Sequence, residues 1–91
     1  MVKILVTNSR PGYTSTTILY NKKKFKIVCD NGNCYSNLKI EMYCQIGLTL
    51  IAILDDIPGA KHINYCSSNE IRIKEQEENI KLAIEYIKLI F

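Results

Sequence analysis

The spacing of apolar residues changes along this chain, and that change limits the folds open to it. From Glu75 to Phe91 they recur at helical intervals, with Ile80, Ala83, Ile84, Ile87, Ile90 and Phe91 on one face. Glu75, Glu77 and Glu78 open this predicted helix and Lys88 closes it, which suits the helix dipole. Glu77 and Lys81 form an i,i+4 pair in the favourable order. Upstream the pattern is different, with short β-rich runs cut by turn signals. Val2 to Thr7 reads as a mostly buried first strand, and Thr16 to Tyr20 as a second. Phe25 to Cys29 reads as a third, with Phe25, Ile27 and Cys29 on one face. Asn8 to Ser15 reads as a loop because it holds Arg10-Pro11-Gly12. Asn21 to Lys24 is short enough for a hairpin connection, although it lacks the usual glycine. Asp30-Asn31-Gly32-Asn33 is a tight turn, and a short strand is expected at Cys34 to Ser36.

Residues 38–54 satisfy both periods. Leu38, Ile40, Met42, Cys44 and Ile46 alternate as in a strand, while Ile40, Tyr43, Cys44, Gly47, Leu48 and Ile51 fit a helix. An uninterrupted element of this length is typical of a helix, so a buried central helix is predicted, capped by Asn37 and ending at Asp55–Gly59. His62 to Cys66 reads as a strand, with Glu70 to Lys74 returning antiparallel to it. The expected fold is α+β, an α/β sandwich. One small, mostly antiparallel sheet of four to five strands carries two packed helices in a single domain, 1–91.

At 47% hydrophobic and 23% charged, the chain has an ordinary globular balance and is not disordered. Its longest uncharged apolar stretch, Ile46 to Leu54, falls well short of the roughly 20 residues that span a bilayer. The N-terminal residues lack the apolar length of a signal peptide. The expectation is therefore an intracellular protein, free of the membrane.

Charge is divided by position. Residues 1–40 hold seven Lys or Arg and one acid, whereas 41–91 hold five basic residues and eight acids. The basic run Lys22-Lys23-Lys24-Phe25-Lys26 concentrates a positive field at an expected hairpin tip. There Lys22, Lys23, Lys24 and Lys26 are candidates to meet successive phosphates, with Tyr20 and Phe25 placed for base stacking. The bland alternative is a solvated hairpin whose lysines blunt a sheet edge. A second candidate is the loop after the first strand. Ser9, Arg10, Gly12 and Thr14 would hold a phosphate through hydroxyls, backbone N–H groups and one guanidinium, without the spacing of a P-loop.

Two families resemble this stretch. Val6-Thr7-Asn8-Ser9-Arg10-Pro11 is similar to the opening of Brix-domain ribosome-assembly proteins, and Thr7-Asn8-Ser9 looks like the start of the crenarchaeal-virus ring nucleases. The arginine-rich continuation of the first and the Gly-His motif of the second are absent, since Gly47 precedes Leu48, so no functional residue carries over. In composition, with ten Lys against two Arg and abundant Ile, Asn and Tyr, the chain resembles small proteins of hot-spring archaeal filamentous viruses.

Cys29, Cys34 and Cys66 with His62 would make a Cys₃His zinc set, and a Cys29–Cys34 bridge across the turn is a second possibility. Free thiols packed as small hydrophobes are the simpler account, so no metal or cofactor is expected. His62 is the lone histidine, and Asp55-Asp56 do not share a face. No acid–base set converges, and the residues point to a binding module rather than an enzyme. The reading is a small accessory protein that binds nucleic acid non-specifically. It is expected to act as a homodimer through Ile84, Ile87, Ile90 and Phe91 of the last helix. The alternatives are a phosphate-ligand enzyme or nucleotide binder using the first loop, and an inhibitor that meets an acidic protein surface.

Overall fold

The computed structural model describes residues 1–30, 37–64 and 66–91. Five strands run as an antiparallel meander in chain order: β1 (Lys3–Arg10), β2 (Tyr13–Tyr20), β3 (Lys23–Asp30), β4 (Asn37–Cys44) and β5 (Gly47–Ile53). A 3-10 turn, Leu54–Asp56, and an irregular connection lead to a single long helix, α1 (Asn69–Ile90). The α+β class stands, with five strands and one α-helix among the described residues rather than two helices.

The missing helix is the hairpin β4–β5. Length argued for a helix over 38–54, but two strands joined at Gln45-Ile46 fill the same span. Gly47 takes a φ of +137° at the start of β5, a conformation that favours glycine. Leu38 and Ile40 are fully buried while Lys39 and Glu41, which alternate with them, are not, so the period of two decides.

The expected loop at 8–15 is also mostly strand. Arg10 pairs with Tyr13, leaving Pro11-Gly12 as a two-residue turn with Gly12 at φ +88°. The β2–β3 turn is equally tight: Asn21 and Lys22 both adopt positive φ, the primed geometry that joins twisted strands. The Asn21 side-chain amide donates to the Phe91 carbonyl at 3.0 Å, tying this turn to the end of α1.

His62 to Asn64 have no regular structure and Cys66 lies in a turn, so the strand expected at 62–66 does not form there. Glu70 to Lys74 form the first turns of α1, because Ser68 caps the helix by accepting from the Ile71 N–H. Asp30 closes β3, and the rest of the expected turn at 31–33 and the strand at 34–36 lie outside the described residues.

The helix covers one face of the sheet, lying over β2 and β3 and touching β1. Ile18, Phe25, Ile27, Leu38 and Ile40 meet Ile80, Ala83 and Ile87 there, and Leu54, Ile57 and Ile63 close the β4–β5 side. The strip expected to form a dimer is largely used inside this core. Ile87 is fully buried, Ile84 packs against the cluster, and Phe91 sits edge-on to Phe25 at 4.9 Å. Of that strip only Ile90 is exposed, beside Leu89.

Candidate nucleic-acid interface

Among the described residues, the other face of the sheet carries no helix. Because side chains alternate, Lys24 and Lys26 point out on this face while Phe25 and Ile27 point into the core. Cross-strand register then assembles the surface. Arg10 lies beside Tyr13, Thr17 beside Lys26, Lys26 beside Glu41, and Val28 beside Lys39. Lys3, opposite Leu19, belongs to the same face. Five cations (Lys3, Arg10, Lys24, Lys26 and Lys39) thus face solvent against two carboxylates, Asp30 and Glu41. Lys39 Nζ lies 3.9 Å from Glu41 Oε1, so charge balances on β4 and the net positive field falls on β1–β3.

Two tyrosines share this surface, each with a cation over its ring. The Arg10 guanidinium is 5.0 Å from the centre of Tyr13, and Lys24 Nζ is 4.6 Å from that of Tyr43. Tyr13 is half-buried and Tyr43 exposed. The rings stand two strands and six residues apart in register, about 22 Å on standard sheet spacings.

The β1–β2 end is held rigidly from beneath. Gln76 of α1 is completely buried, and its Oε1 accepts from the Gly12 N–H at 2.9 Å. Its Nε2 donates to the Arg10 carbonyl at 3.0 Å and to Thr14 Oγ1 at 2.6 Å. A buried amide this well satisfied fixes the turn that carries Arg10 and Tyr13. Asn8, Ser9, Arg10 and Tyr13 line a cleft of about 290 Å³ at that end. One helical turn on, Asn79 does the same for the connection before α1, accepting from the Lys61 N–H at 3.2 Å and donating to the Lys61 carbonyl at 3.0 Å.

The basic run does not act as one cluster. Lys22 sits at the hairpin tip, Lys23 lies on the helix side of β3, and Lys24 and Lys26 lie on the bare face. Tyr20 packs against the core and Phe25 is fully buried, so neither shares a surface with Lys24 and Lys26. Of the first-loop candidates, Arg10 and Ser9 are accessible. Thr14 is buried against Gln76 and holds Ser9 Oγ at 3.2 Å, while the Gly12 N–H is engaged by Gln76. Tyr13, Lys39, Tyr43 and Gln76 were missed. Lys39 and Tyr43 lay hidden in the misread helix, although their alternation with Leu38, Ile40 and Met42 was visible. Gln76 gave no signal, being a polar residue in a helix read by its apolar stripe.

The candidate Cys₃His set and the Cys29–Cys34 bridge both involve Cys34, so those readings fall outside the described residues. Cys29 is buried with its sulfur 3.8 Å from Asn79 Nδ2, Cys66 is exposed, and Cys34 lies outside the described residues. Burial pushes the Cys29 thiol up to about 11. Cys44, exposed at the end of β4, is shifted down by the Thr49 hydroxyl and by backbone hydrogen bonds at Ile46 and Gly47. Among the described residues no three His, Cys, Asp or Glu side chains gather to hold an ion.

No protein-family model, curated protein or solved structure matches the chain. Among the described residues no helix is long and apolar enough to cross a membrane.

Proposed function

We propose that the bare face of the sheet binds single-stranded nucleic acid without sequence preference. One observation carries the reading: the helix-free face gathers Arg10, Lys24 and Lys26 with two tyrosine rings that already attract cations. Phosphates meet the cations and unpaired bases stack on the rings, which a duplex does not offer. The 22 Å between rings spans about six stacked nucleotides at 3.4 Å each. Contacts from three or four cations give a salt slope of about −2 to −3 in log affinity against log salt.

Fluorescence anisotropy with single strands of increasing length, and with duplex, tests this at low and physiological salt. Affinity should rise with length up to about six nucleotides and favour single strands over duplex. A variant with Arg10, Lys24 and Lys26 all replaced by Ala should lose binding, while one with Lys22 and Lys23 replaced should retain most of it. Preference for duplex, or equal loss in both variants, would count against the sheet face. No binding even at low salt would redirect the search to an acidic protein surface.

The cleft at Asn8, Ser9, Arg10 and Tyr13 supports a second reading, a mononucleotide site with Arg10 on the phosphate and Tyr13 under the base. At about 290 Å³ it lies at the small end of ligand pockets. Thermal stabilisation by a free nucleotide, lost in Arg10→Ala, would favour it over the extended surface.

A further inference from the structure

The two edge strands of the sheet differ in what they present outward. Both carry a bulge, at Leu5 in β1 and Ile51 in β5, and both leave apolar side chains exposed. Strand β1 holds Lys3 and Arg10 and no acid, so an antiparallel two-fold pairing of β1 with itself sets like charges against each other. Strand β5 holds no charge, and none occurs from Met42 to Leu54. On the bare face Leu48, Leu50 and Ile53 are 43%, 57% and 43% exposed, and Ile46 in the preceding turn is 98% exposed. The strand behind them is balanced by Lys39 and Glu41, so two such edges approach without net repulsion.

We propose that a second copy of this chain pairs along β5, antiparallel and two-fold, joining two five-stranded sheets into one. The isologous contact fits because the strip is uncharged and therefore complementary to itself. It sets Leu48 and Leu50 of one copy against the same leucines of the other and satisfies backbone groups that an edge leaves unpaired. The regular stretch before the bulge, Gly47 to Leu50, offers about 13 Å of edge, so the dimer belongs with small, concentration-dependent interfaces. The cationic halves, β1–β3, then lie at the two outer ends of a continuous bare face.

Sedimentation velocity of the full chain without nucleic acid, from about 5 to about 500 µM, tests this apart from any ligand. The mass should move from 10.5 kDa toward twice that value as concentration rises. Leu50→Lys should raise the midpoint at least about tenfold by placing two lysines close to the axis in an apolar seam, and Val6→Lys on β1 should leave it unchanged. Ile46→Lys, at an almost fully exposed turn, serves as the second variant should Leu50→Lys disturb folding, which circular dichroism checks. A single 10.5 kDa species at every concentration overturns the proposal. So does a dimer lost in Val6→Lys but kept in both β5 variants, or growth beyond two copies, the sign of β1 adding to β5.

Discussion

The two faces of this sheet come from the same strands and follow opposite rules. On one, Ile18, Phe25, Ile27, Leu38 and Ile40 lose all contact with solvent under α1 and its connection. On the other, Lys24, Lys26, Lys39 and Glu41 stay in contact with water, while Ser15 and Val28 on the same face are buried. A period of two lets neighbouring residues be chosen for unrelated purposes. Stability can therefore reside on one face and charge on the other, and substitutions should separate them.

The largest expected effect is on the covered face. Phe25→Ala empties a fully buried site against Phe91 and should cost about 3–5 kcal/mol, much of the stability of a domain this size. The adjacent Lys24→Ala should stay within about 0.5 kcal/mol of the parent. Urea denaturation of both variants measures the contrast. A lysine loss approaching that of Phe25 would break the division between faces.

A smaller effect is expected where the faces communicate. Gln76→Ala removes the partner of the Gly12 N–H, the Arg10 carbonyl and the Thr14 hydroxyl, leaving buried polar groups unsatisfied at about 1–3 kcal/mol. Hydrogen exchange at Gly12 should accelerate more than at the centre of β3. Uniform acceleration would mean that Gln76 supports the whole fold rather than the β1–β2 turn.

The smallest effect is a pH dependence confined to the core. Burial lifts the Cys29 thiol from 9.0 to about 11, partly offset by the Asn79 contact. The native chain therefore keeps a proton that the unfolded chain releases above pH 9. Cys29's contribution is complete below that value and declines as pH rises toward about 11, by at most ~1.4 kcal/mol per pH unit. Stability measured from pH 8 to 10.5 should fall more steeply in the parent than in Cys29→Ala. Equal slopes would show that the thiol is not held protonated by the core.

Much of this fold was readable from residue types. Phe25, Ile27 and Cys29 share the buried face as alternation required, and Ile80, Ala83 and Ile87 form the inner stripe of α1. Residues 38–54 were not readable, because a hairpin joined by Gln45-Ile46 lacks the Gly, Asn or Pro that marks a turn centre. The basic run was visible as charge, but its division among a turn, the helix side and the bare face follows from strand register.

The sequence by itself determined the class, the helical C-terminal stripe and the concentration of positive charge in the first half. These depend on composition and on spacing along the chain, which are local. Tertiary structure decided which cations meet, which tyrosines stand beside them and which face remains uncovered. Arg10, Lys24, Lys39 and Tyr43 lie on three strands and come to one face through hydrogen-bonded register. One helix covers only one face of a sheet, so the loss of the expected second helix is what leaves the charged face open.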